Sequence, residues 1–460
     1  MSLSASLRLF SRPTISPVWP TPSTTRVSGC AGLCALVATA WSLNCAAVWA
    51  DGLTVQVTQG SLNKLSVAVV PFTSNGVAGM TPNVTDYAAV IGADLEHTGR
   101  FAAVDPKSLP QHPHSIKEVD LAQWRLSKVD YVLVGQVVPG AEMLIDFAAI
   151  NVLTAETMFH YVLPINANNP RRDAHRMANI LYQKITGIDG VFDTKIAFVS
   201  IEGQPPHKHW KLVVADYDGE NARVILDSPQ PLMSPSFSAD GAEIAYVSFE
   251  ANHAQVMVQQ LASGQRAVVS EHLGVNGAPA FSPDGKLLAL TLSQPNGNLD
   301  VYLLNRATQS LTRITDDPAI DTEASFTPDG RSLLFTSDRS GRPQVYRLDW
   351  QSGGKATRLS FDGPYTARAR VSADGKSASV VTLDSGGYRV GVMDLSSGQI
   401  RVLTNGVQDT SPSFAPNGQL LVYASKRGSQ SRLSLVSLDG VISPLKSSGD
   451  VKDPIWCPVH

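Results

Sequence analysis

From about residue 230 onward, short apolar runs alternate with polar turns at a regular spacing. Five related turn motifs recur, namely PSFSADG, PAFSPDG, ASFTPDG, ARVSADG and PSFAPNG, with their last residues at Gly241, Gly285, Gly330, Gly375 and Gly418. Each motif is followed by strand-like runs, none of which has the 3.6-residue period of a helix. Four short strands in a repeat of about 44 residues are typical of one blade of a β-propeller.

Two partial repeats flank the five complete ones. The run IAFVS at Ile196 matches a second strand but lacks a first strand before it. The run PIWC at Pro454 matches a first strand, with Trp456 in place of the repeated phenylalanine. We therefore predict a six-bladed propeller over residues 191–460, in which the C-terminal strand completes the first blade and hides a sheet edge.

Residues 51–190 lack this repeat and show mixed strand and helix patterns. Predicted strands are KLSVAVVPF, FAAVD, YVLVGQVV, MLIDFAAINV and ETMFHYVL, and predicted helices are TPNVTDYAAVIGADLEHTG, VDLAQWRLSK and NPRRDAHRMANILYQKITG. Two of the helices end in glycine, a common helix stop. The fold class predicted is an α/β domain, preceded by an extended segment at residues 51–60 and followed by the all-β propeller.

The first 50 residues have a different composition. An apolar run, AGLCALVATAWSLNCAAVWA, ends at Ala50 and follows a region that contains arginines and no acidic residue. This arrangement predicts a secretory signal peptide at residues 1–50. An uncleaved anchor is the alternative, since about 20 apolar residues span a bilayer. The VSGC motif ending at Cys30 resembles a lipoprotein box but precedes the apolar run. Cleavage would leave Cys457 as the one cysteine, and we expect a soluble periplasmic protein.

Composition and motifs argue against several classes of function. The net charge of −3, without a basic run, argues against nucleic acid as a partner. The sequence has no GxSxG, HExxH, CxxC or Walker motif. DSGG at 384–387 resembles a serine-protease nucleophile region, but it occupies an inter-strand turn, so Ser385 is not predicted to be catalytic. HKH at 207–209 and the pair His112 and His114 lie in predicted loops without a third ligand, so we predict no metal or other cofactor.

The repeated aspartate of FSPDG, Asp284, could serve in catalysis or in a turn. The equivalent residue in the last motif is Asn417. Because asparagine shares the turn chemistry of aspartate but not its acid–base chemistry, we predict a turn residue.

Taken together, the leader, the opening runs LTVQVTQG and KLSVAVVPF, and VFDTKIAFVS before FSPDG-type repeats resemble the TolB family. The resemblance covers residues 51–460. TolB proteins are periplasmic components of the Tol–Pal system of Gram-negative bacteria. The resemblance implies a non-enzymatic scaffold that binds the lipoprotein Pal through the propeller and the inner-membrane protein TolA through its N-terminal segment. It also implies a role in outer-membrane integrity and invagination at division, contacts with other outer-membrane proteins and bacteriocins, and a monomer.

The loops that lead into the first strand of each blade gather at one mouth of a propeller channel. Small polar and charged residues there suit a protein-binding face. The predicted partner-binding residues are Ser234, Asn276, Gly277, Ala278, Thr322, Glu323, Tyr365, Arg368, Asp409 and Thr410. By resemblance, the NGAP run and the Thr322–Glu323 pair match family positions near Pal, whereas Val275 stands where family members often carry histidine.

The N-terminal segment is the second predicted partner site. Its strand-like residues are Leu53, Thr54, Val55, Gln56 and Val57. They could pair with a partner's sheet edge or dock on their own domain, and we favour a switch between the two. A propeller-domain hydrolase or peptidase relative is the alternative function. A glycan or lipid binder is a third, although Tyr365 is the one clear aromatic residue in the mouth loops.

Overall fold

The computed structural model describes residues 64–74, 84–138, 143–164, 166 and 169–459. The predicted signal peptide and the segment at 51–60 lie outside the described residues. Within those ranges, no helix has both the length and the apolar character needed to cross a membrane.

The α/β domain is built on one mixed sheet. The strands are β1 (Leu65–Val69), β2 (Thr73–Ser74), β3 (Phe101–Ala103), β4 (Tyr131–Val138), β5 (Leu144–Asn151) and β6 (Thr157–Pro164). Their order in the sheet is β3-β1-β4-β5-β6, with the short β2 beside β4. Strand β1 pairs in parallel with β3 and β4, whereas the pairs β4–β5 and β5–β6 are antiparallel. The helices are α1 (Val84–His97), α2 (Leu121–Leu126) and α3 (Pro170–Thr186), with short 3-10 turns at Pro106–Ser108 and Ile116–Glu118.

Alternation along β1 explains why both faces of this sheet are covered. Val67 and Val69 pack in the same core as α1 and α3, whereas Ala68 and Val70 pack on the other side with Trp124 of α2. Successive side chains of a strand point to opposite faces, so a strand that is apolar throughout needs two covering layers.

Local sequence signals set the ends of α3. The side chain of Asn169 accepts a hydrogen bond from the backbone N–H of Arg172, and Pro170 occupies the first turn. The helix ends at Gly187, which has a φ of +73°.

The propeller begins with three strands and continues with five complete blades. Blade 1 starts with β7 (Lys195–Glu202), β8 (His209–Asp216) and β9 (Arg223–Ser228). Blade 2 comprises β10 (Leu232–Phe237), β11 (Glu243–Ser248), β12 (Gln255–Gln260) and β13 (Arg266–Ser270). Blade 3 comprises β14 (Asn276–Phe281), β15 (Leu287–Ser293), β16 (Leu299–Asn305) and β17 (Leu311–Arg313). Blade 4 comprises β18 (Asp321–Phe326), β19 (Ser332–Ser337), β20 (Gln344–Asp349) and β21 (Thr357–Arg358).

Two further blades and one last strand complete the ring. Blade 5 comprises β22 (Thr366–Val371), β23 (Ser377–Asp384), β24 (Gly387–Asp394) and β25 (Ile400–Val402). Blade 6 comprises β26 (Asp409–Phe414), β27 (Leu420–Arg427), β28 (Gln430–Ser437) and β29 (Ile442–Pro444). The last strand, β30 (Asp450–Trp456), pairs antiparallel with β7 and gives blade 1 the order β30-β7-β8-β9. The predicted six blades and their closure by the C-terminal strand are confirmed.

The repeated aspartate is a turn residue, as predicted. The Oδ1 atom of Asp284 accepts hydrogen bonds from the Ser282 hydroxyl (2.7 Å) and from the backbone N–H of Lys286 (3.1 Å). Gly285 adopts a φ of +69°, a region that favours glycine. The hydrogen bond from Ser282 lowers the pKa of Asp284, which keeps this largely exposed carboxyl ionised. The turn therefore stabilises the connection between two strands of the blade.

The equivalent turn of blade 6 contacts the α/β domain. Asn417 makes the same hydrogen bond within the turn as Asp284 does, because its Oδ1 accepts from the backbone N–H two residues later, that of Gln419 (3.0 Å). Its Nδ2 donates to the backbone carbonyl of Asp189, in the segment after α3, at 2.7 Å. At Gly99, which has a φ of +77°, an added Cβ would lie 2.7 Å from Val441 of the same blade. The two domains therefore approach closely on this face of the propeller.

We expect Asn417→Asp to lower the free energy of unfolding by about 1–2 kcal/mol, because a carboxylate cannot donate to the Asp189 carbonyl and would repel it. The measurement is urea denaturation at pH 7. The reciprocal change Asp284→Asn is the control. That carboxylate accepts hydrogen bonds, which an amide oxygen also accepts, so the loss should stay below about 0.5 kcal/mol. Equal losses in the two variants would contradict this role for Asn417.

Candidate functional site

The innermost strand of every blade has the same irregularity near the predicted mouth. Each ladder between the first and second strands contains a register shift, and in each shift one residue that is not glycine has a positive φ. These residues are Ser234 (+51°), Ala278 (+45°), Glu323 (+56°), Arg368 (+57°), Ser411 (+55°) and Asp453 (+46°). Positive φ is uncommon outside glycine, so six equivalent β-bulges indicate a feature built into the repeat. We call these residues the mouth ring.

An arginine connects four of the six ring positions. The Nε atom of Arg368, on blade 5, donates to Glu323 Oε1 on blade 4 at 2.6 Å. Its Nη1 atom donates to Asp453 Oδ1 on blade 1 at 2.7 Å and also contacts the Ser411 hydroxyl on blade 6. Ser411 Oγ donates to the same Asp453 oxygen at 2.9 Å. Asp453 Oδ2 accepts from the backbone N–H of Ser234 on blade 2 at 3.0 Å. Charged hydrogen bonds thus link five of the six blades across the channel.

The electrostatics of the ring favour its ionised form. Burial alone would raise the pKa of Asp453, but the charge and hydrogen bond of Arg368 outweigh burial and lower that pKa to about 2. In the same way, burial disfavours the charged guanidinium of Arg368, whereas the carboxylates of Asp453 and Glu323 raise its pKa above the ordinary value. The guanidinium and the two carboxylates therefore form a persistent ionic bridge.

Four of the ten predicted mouth residues line one cavity at the mouth. They are Ser234, Ala278, Glu323 and Arg368. Ser411 and Asp453 also line it but were missed as individual residues, although their loops were expected at the mouth. Three other predicted residues, Gly277, Thr322 and Thr410, immediately precede ring positions, and Tyr365 packs edge-on against Tyr388 with ring centroids 5.4 Å apart.

The remaining two predicted residues are the buried first residues of β14 and β26. Asn276 and Asp409 are each 1% exposed. The amide of Asn276 bonds to the Ser270 hydroxyl (2.7 Å) and to the backbone carbonyl of His272 (2.6 Å). The carboxylate of Asp409 accepts from the backbone N–H of Gly406 at 2.9 Å. Their side chains therefore stabilise the preceding loops by hydrogen bonds and are not available to a partner.

Exposed apolar side chains surround the ring and were not predicted. They lie in or beside the loops that precede the first strands of blades 2 to 6: Met233, Leu273, Val275, Ile320, Phe361 and Val407. Leu273 is 96% exposed and Val407 is 74% exposed. The sequence signal was a large apolar residue at a similar place in successive polar loops. Small polar residues dominate the composition of these loops and mask this signal.

The DSGG motif occupies a turn, as the sequence indicated, whereas the HKH motif, predicted to lie in a loop, runs into a strand at its last histidine. Asp384 pairs with Gly387 at the end of a hairpin, which places Ser385 in its tip. His209 begins β8, and its Nδ1 lies 2.7 Å from Asp227. Among the described residues, one group of three potential metal ligands occurs, namely Asp94, His175 and Asp218. These side chains bond to one another and to Tyr217 and Arg171, so we assign the group to an ionic cluster.

We expect Arg368→Met to lower the free energy of unfolding at pH 7 by about 1–3 kcal/mol, because it leaves two carboxylates without their partner. The depressed pKa of Asp453 stabilises the fold above about pH 4, and this contribution is lost as the pH falls toward 2. The variant should therefore show a shallower loss of stability between pH 4 and pH 2.

Denaturation at several pH values measures both effects. Arg347→Met is the control, because that guanidinium bonds the Ser332 hydroxyl and no carboxylate. An Arg368→Met profile parallel to that of the unmodified chain would contradict the role of the bridge.

Comparisons with known proteins agree with this architecture. The TolB amino-terminal domain family matches residues 53–158, and the TolB beta propeller domain family matches residues 182–460. The Tol-Pal system protein TolB of Bordetella pertussis is 38% identical over 416 residues, which cover 88% of this chain and 91% of that protein. Its counterpart in Bordetella bronchiseptica is also 38% identical, with 88% and 90% covered.

A solved structure is similar as well. The crystal structure of TolB from Acinetobacter baumannii superposes with a TM-score of 0.79 at 36% identity. The superposition covers 86% of this chain and 97% of that one. Both domain families, the identity over most of the chain and the shared structure lead to one conclusion: the chain belongs to the TolB family of the Tol-Pal system.

Proposed function

We propose that the chain is a non-enzymatic periplasmic scaffold that binds the lipoprotein Pal at the propeller mouth and TolA through the segment at residues 51–60. In this role it supports outer-membrane integrity and invagination at cell division, and bacteriocins use the same mouth. The proposal rests on one observation. Exposed apolar side chains of the mouth loops lie around the mouth ring, whose charged residues are joined through Arg368. We call this surface the mouth face.

The composition of this face supports protein binding. Apolar side chains such as Leu273, Phe361 and Val407 supply area that is favourable to remove from water. Polar groups at the centre, among them Glu323 and Arg368, supply directional hydrogen bonds. Protein interfaces combine apolar anchors with a few oriented polar groups in this way.

The position of the α/β domain also supports this assignment. It contacts the propeller at the turns between first and second strands, for example through Asn417. The mouth loops lie at the opposite ends of the first strands. The described part of the α/β domain therefore leaves the mouth face free for a partner.

The chemistry of the cavity favours binding over hydrolysis. No histidine or cysteine is among its lining residues. The hydroxyl of Ser411 is held by Asp453 and Arg368, and the arginine charge lowers the basicity of that carboxylate. A serine nucleophile needs a general base of suitable pKa within hydrogen-bond reach. The cavity residues therefore suit recognition of a partner.

We expect Leu273→Asp to weaken binding of purified Pal at least tenfold, because a charge would be buried against the partner in place of an apolar side chain. Isothermal titration calorimetry measures the affinity. Leu153→Asp is the matched control, since Leu153 is 81% exposed in the α/β domain, and it should leave the affinity unchanged. Unaltered Pal binding by Leu273→Asp would argue against the mouth as the Pal site.

The N-terminal segment is tested separately. We expect deletion of residues 51–60 to abolish detectable binding of TolA, because it removes the alternating run that would pair with a sheet edge of the partner. Binding of Pal by the same truncated chain is the control and should persist. Undiminished TolA binding would remove this part of the proposal.

A further inference from the structure

A buried polar cluster lies between the α/β domain and blade 1. Two helices of the α/β domain and the turn after β8 contribute to it. Its members, which we call the interface cluster, are Asp94 and His97 on α1, Arg171 and His175 on α3, and Tyr217 and Asp218 in the turn. Asp94 and His175 are each 1% exposed, and Tyr217 is fully buried.

The donors and acceptors of the hydrogen bonds around Asp94 and Tyr217 can be assigned. The carboxylate of Asp94 accepts from His175 Nδ1 at 2.8 Å and from the Tyr217 hydroxyl at 2.6 Å. Because the tyrosine has one proton to give, it must accept from His97 Nδ1, which lies 2.9 Å away. His97 is therefore the Nδ1–H tautomer, and burial lowers its pKa, which keeps it neutral.

The other nitrogen of His175 faces the propeller. Its Nε2 atom is buried, makes no hydrogen bond, and lies 3.9 Å from Asp218 Oδ2. Asp218 also pairs with Arg171. The imidazole thus stands between a carboxylate of its own domain and a carboxylate of the propeller.

The charges of the cluster balance when His175 carries a proton. Burial raises the pKa of Asp94, whereas the charge and hydrogen bond of His175 and the hydrogen bond from Tyr217 oppose this shift and favour the carboxylate. With Asp94 ionised, Asp94 and Asp218 contribute two negative charges, Arg171 contributes one positive charge, and His97 and Tyr217 are neutral. A neutral His175 would leave one net negative charge in a buried interface, which is energetically costly. Burial alone would lower the pKa of His175, but the charges of Asp94 and Asp218 outweigh burial and raise it above 6.5.

We propose that His175 is a proton-dependent latch that holds the α/β domain on blade 1 of the propeller when protonated and loosens this contact when it loses its proton. The inference stands on the interface alone and does not depend on the proposed partners. Since a raised folded-state pKa stabilises the protonated form, the latch is engaged below about pH 6.5 and weakens as the pH rises through the raised value.

The interface cluster also contacts β30, the strand that completes blade 1 of the propeller. The ring of Tyr217 stacks on Trp456 of β30, with centroids 6.0 Å apart. Three residues earlier, β30 supplies Asp453 to the mouth ring. The domain interface and the mouth ring therefore share one strand.

Nuclear magnetic resonance of the full chain with labelled histidine rings tests the latch directly. We expect His175 to titrate above pH 6.5 and the amides of α1 and α3 to exchange hydrogen at least tenfold faster above its midpoint, after correction for intrinsic exchange. A midpoint at or below 6.5, or exchange that does not change across the midpoint, would overturn the proposal.

Two variants identify the residues responsible. His175→Gln should remove the pH dependence of exchange at α1 and α3. The control His160→Gln should retain it, because His160 of β6 is largely exposed and pairs with Asp146 of β5, outside the interface cluster. If His175→Gln fails to fold, Asp218→Asn provides the test, since it should lower the proton affinity of His175 at least tenfold. Retained pH dependence in His175→Gln, or an unchanged midpoint in Asp218→Asn, would overturn the latch.

Discussion

The pairing of β30 with β7 is the interaction on which the rest of the structure depends. It joins the C-terminal end of the chain to the start of the propeller, so that blade 1 is assembled from two segments separated by the other five blades. Without it, β7 would present an unpaired edge of backbone donors and acceptors. Trp456 secures the closure, because its ring is buried and its Nε1 donates to the Thr194 hydroxyl at 2.7 Å.

Closure also brings together groups that are remote in sequence. Asp453 reaches the centre of the channel only because β30 takes the innermost place in blade 1, and there it meets Arg368 from blade 5. On the same strand, Trp456 stacks on Tyr217 at the junction with the α/β domain. One strand therefore contributes to the closure of the ring, the mouth and the domain interface. An element shared in this way can make two regions of a protein dependent on each other.

Much of the fold could be predicted because it is repeated. The regular spacing of the FSPDG-type turns indicated the number of blades, and the lone strand at Trp456 indicated how the ring closes. The turn role of Asp284 followed from chemistry that Asn417 shares. The mouth was harder to predict residue by residue. Asn276 and Asp409 are polar residues at the start of β14 and β26, yet both are buried, and their side chains form hydrogen bonds with the preceding loops. Burial of this kind leaves no periodic signal in the sequence.

The sequence by itself determined the elements, the number of blades and the turns, because these depend on local periodicity and on residues a few positions apart. Only the tertiary structure decided which distant side chains meet. The bridge from Glu323 through Arg368 to Asp453 and the contacts between the two domains around His175 join residues 43 to 123 positions apart. Their charges and pKa shifts depend on burial and on distances of a few ångströms. Those quantities arise when the ring closes and the α/β domain packs against it.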